Sequence, residues 1–183
     1  MVKYQIESKL NILAMAQIPT NTGKPITPKQ VVAQWRHLPH KLYVNIWNFE
    51  VKAGKAAQSI FQESFDMKRF NTSGSAAWPS RSKYSKAIHP LMVETGSLKR
   101  SIKWKHTGSK GEPSGVTIYT DPDGFKHTNA HRGFCYAAVH NGPSHFRWGR
   151  VKNMPRRQFM GHSSVLAEEL KKLSAMIFQG FPK

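Results

Sequence analysis

Residues 40–67, HKLYVNIWNFEVKAGKAAQSIFQESFDM, decide the fold. Leu42, Ile46, Phe49, Ala53, Ala57, Ile60 and Ser64 follow three- and four-residue steps, the spacing that puts side chains on one face of an α-helix. Trp47, Val51, Phe61 and Phe65 widen that face. The stretch is therefore expected to be the main helix. Gly54, with Ala53, Ala56 and Ala57 around it, leaves one patch of the helix nearly bare of side chains. Such a patch suits a close crossing inside the core, with a partner interface as the alternative.

Upstream, Thr27-Pro28-Lys29-Gln30 carries a helix start: Thr27 as cap, Pro28 at the first helical position, Gln30 completing a capping box. This helical pattern runs to about His37, and Pro39 is expected to break or kink it. Residues 18–28 hold Pro19, Gly23, Pro25 and Pro28 and read as a linker. Residues 1–17, with Ile6, Leu10, Ile12, Leu13 and Met15, fit either a short helix or a strand. The expected division is an arm and linker over residues 1–27, docking on the body or on a neighbouring subunit, and a single domain over 28–183.

Downstream, residues 69–90 are rich in Ser, Asn, Gly and Pro and read as a loop, functional or mobile, anchored by Trp78 and Tyr84. Leu98 to Trp104 is expected to begin as a helical turn and end as a strand. Ile102 and Trp104, then Val116, Ile118 and Tyr119, point to two strands joined by a flexible hairpin loop over 107–115. Phe134 to His140 suits a buried helix or strand, and Phe159 and Met160 are expected in a further short strand. Val165, Leu166, Leu170, Leu173, Ile177 and Phe178 mark a last helix, capped by Ser163 and ended by Gly180. The expected class is α+β: a long helix in the N-terminal half, packed on a small antiparallel sheet and closed by a C-terminal helix.

The 183 residues include 28 Lys and Arg against 10 Asp and Glu, a formal net charge of +18 at pH 7. A surplus of that size repels itself and calls for a polyanion or an acidic surface. Arg81, Lys83, Lys86, Lys99, Arg100, Lys103, Lys105 and Lys110 form one basic group, opposed only by Glu94. Between Gly124 and Ala167 there is no acid at all, while Lys126, Arg132, Arg147, Arg150, Lys152, Arg156 and Arg157 accumulate. Arg-rich loops with Phe146 and Trp148 among them suit phosphate contacts or stacking on bases. No helix-turn-helix, zinc-finger or RNA-recognition signature accompanies them, so a nucleic-acid contact would be backbone-directed and indifferent to sequence. A solvated basic face, or pairing with acidic neighbouring subunits, is the other reading.

The single cysteine, Cys135, excludes an intramolecular disulfide framework. Met1 to Glu7 lack the apolar core of a signal peptide, and no apolar run approaches the roughly 20 residues that span a bilayer. The expected place is a cytoplasm, or a particle assembled there. His127, His131, Cys135 and His140 have a spacing that invites zinc, but no CxxC or HExxH pair supports it. Cys135 with a histidine would make a thiol nucleophile and its base, yet a lone cysteine among Phe134, Tyr136 and Ala137 serves more simply as a small hydrophobe. Asp121 and Asp123 flank a turn proline, and Glu168-Glu169 open the last helix, where its dipole favours them. A metal-dependent nuclease needs clustered carboxylates, and a phosphate-binding loop needs GxxxxGK[ST]; the chain has neither. No catalytic residue, metal or cofactor is expected.

Four pieces in order carry a resemblance. They are Trp78-Pro79 followed by Tyr84 and Lys86; ETGSLKRSI at 94–102; YAAVHNG at 136–142; and MPRRQFMGHS at 154–163, leading into the last helix. This order resembles the virion morphogenesis proteins of tailed bacteriophages, the Mu-type family and the related head–tail connector and tail-completion proteins, over about residues 42–178. The arm lies outside the resemblance, and His145 to Arg150 is more aromatic and basic than the family pattern requires. The residues also have scaffold readings. Thr95-Gly96 makes a turn, Leu98 and Ile102 bury, and Tyr136 and Ala137 pack under the sheet. Gly142 and Gly161 permit reversals, Pro155 stiffens the approach, and Arg156 and Arg157 point outward as Phe159 buries. The resemblance implies a non-enzymatic subunit of a homo-oligomeric neck ring, six- or twelvefold, in the virion. Its partners would be portal or head-completion and tail proteins and the passing DNA, with no membrane involved. Lys99, Arg100, Arg147, Arg150, Lys152, Arg156 and Arg157 are the expected interface or lumen residues.

Overall fold

Helix α1 (Pro28–Met67) is one helix of 40 residues that runs through Pro39 without interruption. This computed structural model describes residues 3–6, 28–81, 83, 85, 86, 88–108, 113–121, 136–142 and 155–181. Of the break or kink expected at Pro39, the break does not occur. Proline removes one helical N–H bond, the one that would reach the Trp35 carbonyl. Trp35, Arg36, Pro39 and His40 are all exposed, so that turn lies in water, where an open carbonyl costs little.

The sheet has three antiparallel strands in the order β1–β3–β2: β1 (Lys3–Ile6), β2 (Ile102–His106) and β3 (Val116–Thr120). Strand β1 comes from the N-terminal segment and pairs Lys3 with Tyr119 through Ile6 with Val116. In β2, Lys103 and Lys105 are exposed while Ile102, Trp104 and His106 turn toward α1. Their cross-strand partners Thr120, Ile118 and Val116 share that face, as the two-residue period of a strand requires.

The main helix and β2 run antiparallel and meet turn by turn. His106 stacks on Trp47 with ring centroids 3.7 Å apart and planes 6° apart. Trp104 lies over Gly54, Gln58 Nε2 donates to the Ile102 carbonyl at 2.8 Å, and Gln62 Nε2 donates to the Lys99 carbonyl at 3.2 Å. The match is geometric: a helical turn rises about 5.4 Å and two strand residues about 6.6 Å, so successive turns meet alternate strand residues. The bare patch around Gly54 is thus a crossing inside the core.

Helix α2 (Ser97–Arg100) precedes β2, α3 (Tyr136–Asn141) follows the sheet, and α4 (Ser164–Ser174) with a 3₁₀ turn (Ala175–Phe178) closes the chain along α1. Ser163 caps α4, its side chain accepting from the Leu166 N–H, as expected. The main core joins Ala57, Phe61 and Phe65 of α1 with Leu98, Ile102, Ile118, Ala137, Phe159 and Leu166. A smaller cluster joins Phe49 and Ala53 to Ile177, with Leu42, Ile46 and Leu173 at its edge. The α+β layout is the one the sequence implies.

A Cβ built on Gly54 would sit 2.5 Å from the Trp104 ring. Gly54→Ala is therefore expected to lose about 1–3 kcal/mol of stability, although alanine is the better helix former by about 1 kcal/mol. Urea unfolding tests this: the loss should shrink in a Trp104→Leu background. A Gly54→Ala protein as stable as the wild type would contradict the close approach.

Candidate functional site

The segment 155–161 is where the sequence elements that stand out converge. Its chain is irregular, so each buried backbone group needs an individual partner. Asn141, the last residue of α3, supplies two: its Oδ1 accepts the N–H groups of both Phe159 and Met160 at 2.9 Å. The short strand expected at Phe159 and Met160 is absent for this reason. Successive N–H groups of a strand point to opposite sides, whereas these two aim at one oxygen. The Trp78 indole donates to the Gln158 carbonyl at 2.8 Å. Its ring meets Phe65 edge-on at 5.5 Å, and Phe65 in turn packs on Phe159 at 5.2 Å.

Arg157 corrects an expectation. It does not point outward; it is only 6% exposed. Its backbone N–H donates to the His140 carbonyl at 2.8 Å, and its guanidinium donates to the Pro79 and Ser80 carbonyls at 3.0 and 3.2 Å. Arg81 does the same at the other end of this loop, donating to the carbonyls of His89 and Pro90 at 2.7 Å each. The planar fork of arginine, with five donors, suits such multiple capture of carbonyls. Two cations counted by sequence toward a basic face thus staple the long loop: Arg157 clasps residues 79–80 to the 155–161 segment, and Arg81 closes the loop on itself at 89–90.

Of the other expected site residues, Arg156 is exposed and donates to Gln158 Oε1 at 2.7 Å, Arg100 is exposed, and Lys99 pairs with Asp66 at 2.7 Å. Thr95 Oγ1 accepts from the Ser97 N–H at 3.3 Å, and Gly96 stands before α2 at φ 71°, a left-handed value that favours glycine. Leu98, Ile102, Ala137 and Phe159 are core, and Pro155 is half-buried. Gly142 closes α3 with its N–H on the Ala138 carbonyl at 2.8 Å, and Gly161 sits at φ 149° before the α4 cap. Arg147, Arg150 and Lys152 lie outside the described residues, as do His127, His131 and Cys135 and the side chain of Tyr136.

Two polar groups escaped the sequence reading. Asn141 had no role in the sequence beyond its place in the YAAVHNG element. Glu50, on the main helix, is buried. It accepts from the Gly115 N–H at 2.7 Å and pairs with His106 Nδ1 at 3.1 Å. The only available signal was an acid beside the apolar stripe, between Phe49 and Val51. The anion fastens the end of the β2–β3 hairpin to α1, a charge-assisted bond of the stronger kind. At the far end of α1, the Asn71 amide and the Thr72 hydroxyl hold Glu63 and Ser164.

Burial first, and the Arg157 cation second, push His140 down to about 4. Arg157 is itself held below its ordinary value by burial and by Arg81, and it remains a cation. The arrangement suits a neutral histidine against a fixed cation inside a hydrogen-bonded scaffold. Among the described residues no group of three or more His, Cys, Asp or Glu is placed to hold a metal ion, and no helix is long and apolar enough to cross a membrane. Comparison with family models, with curated proteins and with solved structures finds no match.

Asn141→Ala would strand two buried N–H groups, each costing about 1–3 kcal/mol. Chemical denaturation should show a loss of at least about 2 kcal/mol, with Asn141→Asp, which keeps the acceptor, losing less. A near-neutral Asn141→Ala would refute the bridging role.

His140 binds its proton less readily in the folded chain than in the unfolded one. Its contribution to stability is therefore full above about pH 6.5 and is lost as pH falls from there toward 4, at up to about 1.4 kcal/mol per pH unit. Melting temperatures between pH 7 and 5 should fall more steeply for the wild type than for His140→Asn. Parallel curves would show that His140 is not the group responsible.

Proposed function

We propose that the chain is a non-enzymatic structural subunit of a bacteriophage neck, a head–tail connector or tail-completion ring, which joins the portal to the tail around the DNA path. The observation that carries this reading is the convergence at Asn141. Three of the four pieces behind the phage resemblance, around Trp78, Tyr136 to Gly142 and Pro155 to Gly161, bond to one another through Asn141, Arg157 and the Trp78 indole. They serve as mutual struts. Residues selected for a shared scaffold need not carry chemistry, and that is what a ring subunit requires.

The charge fits the same role. A net +18 is well placed beside packaged DNA or an acidic portal. The six- or twelvefold symmetry, the virion location and the portal and tail partners come from the resemblance alone. A second reading, a basic protein that binds nucleic acid without regard to sequence, draws on the same surplus of cations and on exposed Arg100, Arg156, Lys52 and Lys55.

Light scattering and negative-stain images of the purified chain, alone and with neck partners, separate the two. Closed rings are expected; a chain that stays monomeric at every concentration and with its partners would end the ring reading. Duplex DNA binding should weaken steeply with salt in both readings, and binding by a monomer would favour the second.

A further inference from the structure

The apolar stripe of α1 continues past the part of the body that covers it. Counting 100° per residue, Val32, Trp35, Pro39 and Tyr43 lie on the same side of the helix as Ile46, Ala53 and Ala57. The cover ends near Leu42: Lys41 and Asn45 reach the carbonyls of Gly180 and Ile177, at the end of the closing helix. Beyond it Val32 is 52% and Trp35 62% exposed, neighbouring apolar side chains of the kind that partners cover. This half of α1 is also basic, with exposed Lys29, Arg36 and Lys41 and no acid before Glu50.

The complementary surface lies on the other half of the same helix. A groove between α1 and α4 has Ala56, Ile60 and Val165 among serines in its floor, and a rim of Glu168, Glu169 and Lys172, the lysine 3.6 Å from Glu169. Glu63 of α1, which is exposed, lies one turn beyond Ile60. Glu168 and Glu169 fall in the second turn of α4, so the helix dipole, which acts over the first turn, does not account for them. Glu63, Glu168 and Glu169 outnumber Lys172 around this groove, in a chain with only 10 acids.

We propose that the exposed N-terminal half of α1, through Val32, Trp35 and Arg36, docks into the α1–α4 groove of a second copy of this chain. A chain cannot fill its own groove, because some two dozen residues of one helix, about 36 Å, separate Trp35 from Ser59. The contact is therefore head-to-tail: each copy offers its helix to one neighbour and its groove to another, which closes into a ring or propagates as a fibre. Charge favours this occupant over the chain's own segment 7–27, which contains one acid, Glu7, against Lys9 and Lys24. The inference rests on the ring reading above and supplies its interface.

The test uses full-length protein in a Cys135→Ser background. Gln34→Cys and Ser73→Cys chains, which keep Trp35 and Val165, mixed and treated with a bismaleimide, should give a cross-linked dimer that neither forms alone. Glu168→Lys/Glu169→Lys should reduce that dimer at least tenfold, and Lys29→Glu/Arg36→Glu on the partner chain should restore it. If no cross-link forms while light scattering still reports rings, or if the charge reversals leave it unchanged, this docking is wrong and the ring uses another surface. If the wild type is monomeric throughout, with and without neck partners, the ring reading falls along with it.

Discussion

A single amide oxygen anchors the irregular segment 155–161 to the body of this protein. Asn141 Oδ1 takes the N–H groups of Phe159 and Met160 together, and everything around it follows from that capture. The bond turns Phe159 into the core beside Phe65, brings the Gln158 carbonyl to the Trp78 indole, and sets Arg157 under the 79–80 backbone. Without it, an irregular segment would bury its polar backbone unpaired, and the segment would sooner lie in water than on α1. Packing and polar satisfaction are here the same event.

The same economy shapes the N-terminal half. Helix α1 carries the sheet because Gly54 admits Trp104, and because Glu50 reaches past the apolar contact to hold the hairpin backbone at Gly115. A buried carboxylate is costly unless its oxygens are occupied, and Gly115 and His106 occupy both. The scaffold is thus tied at several points by lone polar side chains that each satisfy backbone across a long sequence separation. That is how the described residues, with one small sheet and a few short helices around α1, keep an ordered body.

For function, the division of the cations matters more than their total. Arg157 and Arg81 are spent internally on carbonyls, while Arg100, Arg156 and the lysines of α1 remain at the surface. A sum of charges therefore overstates what faces a partner. The acids, few as they are, also divide: Glu50 is structural, Asp66 and Asp121 pair with lysines, and Glu168 and Glu169 line a groove.

Much of the architecture was legible in the chain. The stripe from Leu42 to Ser64 predicts a helix because apolar spacing is local and periodic, and the alternation from Ile102 and the Val116–Tyr119 run predict strands for the same reason. The α4 cap at Ser163 and the turn at Gly96 are local too. The fate of Pro39 was not legible, since whether a proline breaks a helix depends on whether the orphaned carbonyl is buried or wet. Nor was Arg157, whose sequence neighbours give no sign that two carbonyls from 77 residues or more away will enclose it. Asn141 and Glu50 were hidden likewise. Periodicity reports which side chains seek the core; only the tertiary structure decides which backbone groups arrive there without partners, and so which polar residues must go in with them.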